Sequence, residues 1–372
     1  MRPNGGLQLC AWTTILCLGV TFPALAGTWT IETVVSGQYL GRVSLAYDPI
    51  DRHPSVAYSD DIGKTTYVKF AHWDGTRWVI EVIGPAHPEL SLAYHPVTGQ
   101  PTVAYTAQLA KTKYGLVLAT RSPTGTWTKE TVEPVWTPNE LSLAYDHAGV
   151  PAIAYIKTGR SGTTMYYTRK QGTSWPKQVV ATGGLSNLSL AFDPSNLPAI
   201  AYNPRDATQY CLGLAMWNGS SWTKELVECG LVEEGPYGFG NYPWLSYSPN
   251  GDPAIASTGG GSVSQPRYSR KAGSWTTEVI DQTPTLGAGA SYPSLAFTGG
   301  GVPYVSFVSH EGTAVEELRV AHLEGTTWVV ELVAAGDLRF QSQLAVDSSG
   351  APTVAFVDSV AQDLKFARRT GP

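Results

Sequence analysis

Apolar and polar positions follow one arrangement that the chain repeats seven times. Each copy opens with a segment such as Ser-Leu-Ala-Tyr at residues 44–47, whose residue types suit a buried, pleated strand. About five residues rich in Asp, Gly, Asn and Pro follow, a composition typical of a hairpin turn. A second apolar segment then begins with proline, which the first residue of a strand tolerates. The copies span residues 44–58, 91–105, 142–155, 189–202, 245–257, 294–307 and 343–356.

A second motif, Trp-x-x-Glu, follows each of the first six copies, with Gln178 in place of Glu after Trp175. Polar and apolar residues alternate there, as in a strand with one face in water. Turn signals such as Asp-Gly at residues 74–75 precede several of these tryptophans. Another strand candidate, for example residues 67–72, lies between the two motifs. The repeat therefore predicts four strands joined by hairpins, with a period of about fifty residues.

The two ends of the chain complete one another. Trp29 and Glu32 form a Trp-x-x-Glu strand before the first repeat, whereas the seventh repeat ends without one. A strand at residues 28–35 that completes the last repeat explains both ends. We therefore predict an all-β fold, a seven-bladed β-propeller of four-stranded antiparallel blades, with the ring closed by the N-terminal strand.

Several hairpins carry a Gly-x-x-Trp motif. They are Gly75/Trp78, Gly172/Trp175, Gly219/Trp222 and Gly325/Trp328. These hairpins resemble the Asp-box repeats of sialidase-like propellers, and the chain also resembles secreted bacterial propellers with repeated Ser-Leu-Ala-Tyr-Asp units. The aspartate two residues before the glycine is replaced by Trp73, Lys170, Trp217 and Leu323. The Phe/Tyr-Arg-Ile-Pro segment of sialidases is also missing, so the resemblance implies the fold and does not imply sialidase chemistry.

Residues 1–26 read as an export signal. Arg2 precedes an apolar run at residues 9–22, and Ala24-Leu-Ala26 fits cleavage before Gly27. The alternative is a membrane anchor, but the run is shorter than the roughly 20 residues that a span needs. We therefore predict a propeller domain at residues 27–372, secreted or periplasmic, that does not contact the membrane after cleavage.

Charge and cysteine content limit which partners, metal sites and disulfides are expected. The formal net charge is −5, and loss of Arg2 makes it more negative, which argues against nucleic acid and anionic membranes. No Cys/His cluster and no calcium-loop pattern occurs in the sequence, so neither a metal nor a cofactor is expected. Cys211 and Cys229 fall in the third and fourth strands of one repeat, opposite each other about the turn at residues 218–221. We predict a disulfide there, and two buried thiols are the alternative.

Loops that enter the innermost strand of each blade should converge at one end of the central channel, together with the loops after the second strand. Candidates on entering loops are Tyr39, Arg42, His87, Glu89, Asn139, Glu140 and Asn187. Candidates after the second strand are Asp60, Asp61, Lys157, Arg160, Arg205, Asp206, His310, Glu311 and Asp358.

The stretch at residues 228–244 departs most from the repeat and is rich in glycine and aromatic residues. We predict a ligand site there, with Tyr237, Phe239, Tyr242 and Trp244 as an aromatic platform. The polar members of the predicted site are Arg205, Asp206, His310 and Glu311. The alternative is drift of one repeat, with these aromatics closing the channel. Trp244 also fits the innermost strand, from which it would point into the core.

The function expected from these features is non-catalytic binding of a glycan, or of an extracellular protein. A polysaccharide-cleaving glycoside hydrolase or lyase is the alternative, since such hydrolysis uses two carboxylates about 5–10 Å apart. Glu233-Glu234, Asp60-Asp61 and Glu311 could supply carboxylates. No Gly-x-Ser-x-Gly motif favours serine chemistry.

Overall fold

The structure is a computed structural model that describes residues 27–37, 40–110, 113–134, 140–159, 162–231, 238–260, 262–282, 289–310, 315–338 and 342–371. The predicted export signal at residues 1–26 lies outside these ranges. All regular secondary structure in them is β-strand, which confirms the all-β class. None of the described residues belongs to a helix that could cross a membrane.

The strands form two seven-stranded and three four-stranded antiparallel sheets. One four-stranded sheet has the order β1 (Thr28–Ser36), β26 (Asp363–Thr370), β25 (Pro352–Asp358) and β24 (Gln343–Val346). The first seven-stranded sheet runs β2 (Leu40–Tyr47), β3 (Pro54–Ile62), β4 (Thr65–Trp73), β5 (Trp78–Tyr94), β6 (Pro101–Ala110), β7 (Lys113–Arg121) and β8 (Trp127–Glu133).

The second seven-stranded sheet consists of β9 (Glu140–Tyr145), β10 (Pro151–Gly159), β11 (Gly162–Arg169), β12 (Lys177–Phe192), β13 (Pro198–Arg205), β14 (Gln209–Trp217) and β15 (Trp222–Leu231). The other four-stranded sheets are β16 (Asn241–Tyr247), β17 (Pro253–Gly259), β18 (Gln265–Ala272) and β19 (Ser274–Val279), and β20 (Gly289–Phe297), β21 (Pro303–His310), β22 (Glu316–Glu324) and β23 (Thr327–Gly336).

Two long strands explain the seven-stranded sheets. β5 pairs with β4 through its first half and with β6 through its second half, and β12 joins β11 to β13 in the same way. The links between these repeats stay extended because only a few residues separate one strand from the next. Four-stranded sheets are therefore seen for three repeats, whereas the other four repeats are joined in pairs.

The N-terminal strand pairs with the C-terminal strand, as the sequence predicts. β1 runs antiparallel to β26, with Thr28 opposite Thr370 and Ile31 opposite Ala367. One hydrophobic cluster joins residues from both ends of the chain, among them Val34, Leu45 and Phe366. The first and last repeats are thus held together by a ladder and by a shared core.

The Trp-x-x-Glu motif links neighbouring repeats. The indole Nε1 of six of the seven motif tryptophans donates a hydrogen bond to the side chain that ends the motif of the preceding repeat. These bonds are Trp78–Glu32 (3.0 Å), Trp127–Glu81 (2.8 Å), Trp222–Gln178 (2.9 Å), Trp275–Glu225 (2.9 Å), Trp328–Glu278 (3.1 Å) and Trp29–Glu331 (3.0 Å). At the remaining position Glu130 pairs instead with Lys170, at 2.7 Å.

The predicted disulfide is confirmed. Cys211 and Cys229 are direct partners in the β14–β15 ladder, with their Cα atoms 4.1 Å apart. Cys211 is buried, and Arg267 of the next sheet pairs with Glu228 beside Cys229.

We expect reduction of this disulfide to lower the free energy of unfolding by about 2–3 kcal/mol, because the unfolded chain regains the freedom of the closed loop. Urea unfolding with and without a phosphine reductant measures this difference. A Cys211→Ala, Cys229→Ala variant serves as control and should not respond to the reductant. Equal midpoints for the oxidised and reduced parent protein would contradict the expectation.

Candidate functional site

Six side chains converge where the innermost strands begin. They are Arg42 (β2), Glu89 (β5), Glu140 (β9), Asn187 (β12), Tyr242 (β16) and Tyr292 (β20), which we call the inner-strand pocket. They line one depression with an empty volume of about 640 Å³. Each side chain comes from a different repeat, so the pocket exists only in the folded assembly.

Irregular pairing turns these side chains inward. The register shifts between Leu40 and Val43, between Ser186 and Leu188, and at the matching places of β5, β16 and β20. A β-bulge adds one residue to a strand and redirects a side chain, which is why bulges occur beside binding sites.

Three of the pocket residues have a strained backbone. Asn187, Tyr242 and Tyr292 have φ angles of 47°, 51° and 52°, in the left-handed region. That conformation costs a non-glycine residue roughly 1–2 kcal/mol. Such strain clusters at ligand sites, where the surrounding structure holds it in place. The strain therefore supports assigning a function to this pocket.

Polar contacts connect the pocket from one strand to the next. Arg42 Nη2 lies 2.9 Å from Glu89 Oε1 and 3.5 Å from Glu140 Oε1. Asn187 Nδ2 donates to Glu140 Oε1 at 3.1 Å, and Asn187 Oδ1 accepts from the Tyr242 amide at 3.4 Å. The rings of Tyr242 and Tyr292 complete the path, with centroids 4.4 Å apart. One continuous set of contacts therefore spans six innermost strands.

Burial dominates the electrostatics of the pocket. It raises the pKa of Glu89 to about 7, with a further contribution from Glu140, while Arg42 opposes both effects. Burial also raises the pKa of Glu140. Burial lowers the pKa of Arg42, but the two carboxylates outweigh it and hold that pKa above its ordinary value. Glu89 thus exchanges a proton near neutral pH.

The raised pKa predicts that stability falls as pH rises. Between the ordinary value of 4.5 and about 7, folded Glu89 keeps a proton that the unfolded chain has lost. The free energy of unfolding should therefore fall across this window, by on the order of 3 kcal/mol, and level off above it. Urea unfolding of the parent and of Glu89→Gln from about pH 4.5 to about pH 8 measures the effect.

Glu89→Gln should flatten this pH dependence, because it removes one titrating group and the like charge that acts on Glu140. Asp61→Asn alters an exposed carboxylate and should retain the slope of the parent protein. Identical slopes for the parent and Glu89→Gln would show that Glu89 titrates at the same pH in the folded and unfolded states, which would contradict the raised pKa.

A series of side-chain to backbone bonds lies next to the pocket. Five serines, each two residues after a pocket residue, accept a bond from the leucine amide of the next repeat, and Gln343 does the same in the last repeat. The bonds are Leu92–Ser44 (2.9 Å), Leu143–Ser91 (3.1 Å), Leu190–Ser142 (3.0 Å), Leu245–Ser189 (3.0 Å), Leu344–Ser294 (3.1 Å) and Leu45–Gln343 (2.5 Å). Gln343 accepts from Leu45, so these contacts connect the last repeat back to the first.

Trp244 occupies the position of the serine in the fifth repeat. It lines the pocket and packs against the cluster that holds Ala256 and Phe307. Ser257, on the neighbouring strand β17, takes the place of the repeated tyrosine. In the fifth repeat the large aromatic side chain therefore lies on β16 instead of β17, and Trp244 contributes to packing.

Phe239 does not line the inner-strand pocket with Tyr242. Phe239 packs below Arg267, whose guanidinium carbon lies 5.1 Å from the ring centroid. Asn203 fixes this segment by donating to the Phe239 carbonyl at 2.6 Å. Tyr237 lies outside the described residues.

Two of the four predicted polar residues, Arg205 and Asp206, have described side chains, and both lie away from the inner-strand pocket. Asp206 Oδ1 accepts bonds from the amides of Thr208 and Gln209 at 2.7 and 2.9 Å, and thus shapes an exposed turn. Arg205 precedes it at the end of β13, and neither residue lines the pocket. His310 is opposite Gly289 in the ladder, and only its backbone is described. Glu311 lies outside the described ranges.

Four of the seven entering-loop candidates, in contrast, do meet, whereas His87 does not line the pocket. Arg42, Glu89, Glu140 and Asn187 form one side of the pocket, whereas Tyr39 and Asn139 fall outside the described residues. Sequence reasoning missed Tyr292. A signal was nevertheless present in the sequence, since Tyr292 occupies the same place in the sixth repeat as Tyr242 does in the fifth. Across the described residues there is no group of three or more potential metal ligands.

No protein-family model and no curated protein matches the chain. It does resemble solved structures in fold. An ulvan lyase of polysaccharide lyase family PL25, bound to -[GlcA(1-4)Rha3S]-, aligns with a TM-score of 0.57 at 11% identity over 91% of this chain and 95% of that chain.

Two lectins align similarly. The BP39L lectin from Burkholderia pseudomallei has a TM-score of 0.55 at 14% identity, over 86% of this chain and 96% of its own. The Aleuria aurantia lectin AAL, in complex with Fucα1-6GlcNAc, has a TM-score of 0.51 at 16% identity, over 81% and 97%. At these identities the likeness concerns the fold, which is all-β and propeller-like.

Proposed function

We propose that this chain is an exported, non-catalytic glycan-binding protein built as a closed seven-bladed β-propeller, and that the inner-strand pocket is its binding site. The observation that carries the proposal is the polar set Arg42, Glu89, Glu140 and Asn187 beside the paired rings of Tyr242 and Tyr292.

Three features support the closed ring. β1 completes the sheet formed by the last repeat, Trp29 bonds to Glu331 of the sixth repeat, and Gln343 bonds to the backbone of the first repeat. Each contact continues around the chain a pattern that neighbouring repeats also show. Seven blades follow if β5 and β12 each serve two adjacent blades.

The chemistry of the pocket suits a sugar. Carboxylates accept hydrogen bonds from sugar hydroxyls, the Arg42 guanidinium and the Asn187 amide donate them, and tyrosine rings stack on the C–H faces of a pyranose. Arg42 is already paired with carboxylates, so the described residues of the pocket offer no free positive charge for an acidic ligand. We therefore favour a neutral glycan. The resemblance in fold to carbohydrate-binding lectins and to a polysaccharide lyase is consistent with this choice.

A glycan array probed with the parent protein and with Tyr242→Ala, Tyr292→Ala and Arg205→Ala tests the proposal. We expect the two tyrosine variants to lose binding, because each removes half of the aromatic surface. Arg205→Ala should bind like the parent, since Arg205 lies outside the pocket. Unchanged binding by both tyrosine variants, with all proteins folded, would place the site elsewhere.

A polysaccharide-cleaving hydrolase or lyase is the second candidate, and the raised pKa of Glu89 favours it. A carboxyl group that is partly protonated near neutral pH can act as a general acid beside a second carboxylate. Incubation with neutral and uronate polysaccharides, followed by reducing-end and unsaturated-product assays, distinguishes cleavage from binding. Loss of any activity in Glu89→Gln would support catalysis, whereas absence of products from all substrates would support the lectin.

Export is a separate part of the proposal, and it rests on the sequence of residues 1–26. N-terminal sequencing of protein recovered outside the cytoplasm should begin at Gly27. A mature chain that begins at Met1 would contradict it.

A further inference from the structure

A second depression lies between the third and fourth repeats, at the other end of the strands. Tyr167, Arg169, Gln178 and Trp217 line it, and we call it the outer groove. Its empty volume is about 650 Å³. β9 begins with Glu140 in the inner-strand pocket and is followed by Asp146 at the outer groove, so about 20 Å separates the two sites.

Other junctions between repeats carry an ion pair at this place. A carboxylate of the fourth strand meets a basic residue of the next repeat in four cases. They are Glu81–Arg121 (2.6 Å), Glu130–Lys170 (2.7 Å), Glu225–Lys271 (2.8 Å) and Glu331–Arg369 (2.7 Å). In the outer groove Gln178 and Trp217 hold these two positions. An amide and an aromatic ring therefore replace the pair of charges.

The floor of the groove carries a buried hydroxyl that five of the six matching positions lack. Tyr167 is 5% exposed, and its buried hydroxyl has no hydrogen-bond partner in the described structure. The matching positions of the other repeats are Phe70, Leu118, Leu214, Tyr268, Val320 and Phe366. An unpaired buried hydroxyl is destabilising, and phenylalanine would fill the same space without that cost. Because Tyr167 lines the groove, a ligand seated there would supply the missing hydrogen-bond partner.

The walls combine an aromatic surface with neutral polar groups. The half-buried Trp217 packs against Trp222, with centroids 5.6 Å apart. Gln178 Oε1 accepts the Trp222 indole bond, which fixes the orientation of the amide. Arg169 Nε donates to the buried Asp146 carboxylate at 2.8 Å, so these opposite charges compensate each other. The groove therefore has hydrogen-bonding groups and no net charge.

We propose that the outer groove is a second glycan site, which binds one neutral pyranose unit with a C–H face on Trp217 and a hydroxyl bonded to Tyr167. The amide of Gln178 and the rim of the Arg169 guanidinium lie within the same groove and complete the polar contacts. A proline-rich peptide also stacks on tryptophan, but it offers few hydroxyls to a recessed polar floor, so we favour the sugar. This site is independent of the inner-strand pocket.

Saturation-transfer difference NMR with methyl β-D-glucopyranoside, methyl β-D-galactopyranoside and methyl α-D-mannopyranoside tests the proposal. At least one glycoside should show saturation transfer to the parent protein. Trp217→Ala and Tyr167→Phe should weaken that binding about tenfold, because each removes a contact worth roughly 1.4 kcal/mol. Tyr167→Phe should leave the unfolding midpoint unchanged or higher, since the hydroxyl it removes is unpaired.

Trp73→Ala is the matched control, because Trp73 holds the position of Trp217 in the first repeat, next to the Phe366 floor. It should bind like the parent. Tyr242→Ala should retain the part of the saturation transfer that depends on Trp217, because the two sites lie at opposite ends of the strands. No transfer from any glycoside, or transfer that Trp217→Ala leaves unchanged, would overturn the proposal. Binding of poly-L-proline that depends on Trp217, without binding of glycosides, would overturn it in favour of a peptide site.

Discussion

Deletion of residues 27–36 is expected to abolish the single cooperative unfolding transition of the protein. These residues form β1, and without them β26 becomes an open edge strand. The buried Glu331 would also lose the indole donor of Trp29 while it keeps Arg369. Thermal and urea unfolding, followed by tryptophan fluorescence and by circular dichroism, measure the loss. Unchanged stability of the deleted protein would contradict ring closure by this strand.

Trp29→Ala tests the same closure with one side chain. Trp29 is partly buried, so we expect a loss of about 2–4 kcal/mol, from lost packing and from the unpaired carboxylate of Glu331. Ile31→Thr is the control on the same strand, because Ile31 is 41% exposed and should cost less than about 0.5 kcal/mol.

Arg42→Met is expected to destabilise the protein by about 3 kcal/mol near pH 8, because it leaves two buried carboxylates without their cation. The loss should be smaller near pH 5, where Glu89 and Glu140 hold protons more readily because their pKa values are raised. Methionine retains most of the apolar stem of arginine, so the charge is the main change.

A combined Arg42→Met, Glu89→Gln, Glu140→Gln variant separates charge from packing. Replacing a whole buried charged set by neutral groups is often close to neutral, so this variant should recover most of the lost stability. Urea unfolding of the parent, of Arg42→Met and of the triple variant at both pH values measures these differences. If the triple variant is as unstable as Arg42→Met, the loss comes from packing rather than from unpaired charge.

Local patterns determined the strands and their order along the chain. Alternating polarity, prolines at strand starts and Asp-Gly turns act over a few residues, so their effect can be read without coordinates. The pairing of Cys211 with Cys229 could be predicted from the short hairpin that joins their strands, whereas their exact alignment depends on a register shift between Leu212 and Gly213. The pairing of β1 with β26 also followed from the sequence, since a motif missing at one end is present at the other.

Tertiary structure alone decided what the repeated polar residues do. The sequence suggests a wet strand face for Glu331, whereas the structure buries it below Trp29 and Arg369. Contacts between repeats depend on the rotation from one sheet to the next, which no local pattern encodes. Tyr292 shows the same limit, since it faces Tyr242 only after a bulge has turned both side chains inward.

The candidate site could likewise be predicted from the sequence only in part. The entering-loop residues Arg42, Glu89 and Glu140 could be chosen from their positions in the repeat, because equivalent positions share one end of the innermost strands. Their protonation could not be predicted from the sequence, because the pKa of Glu89 is set by burial and by neighbours from other repeats. The sequence determined which side chains face the centre of the protein, and the packing of the sheets decided their charge, their partners and their chemistry.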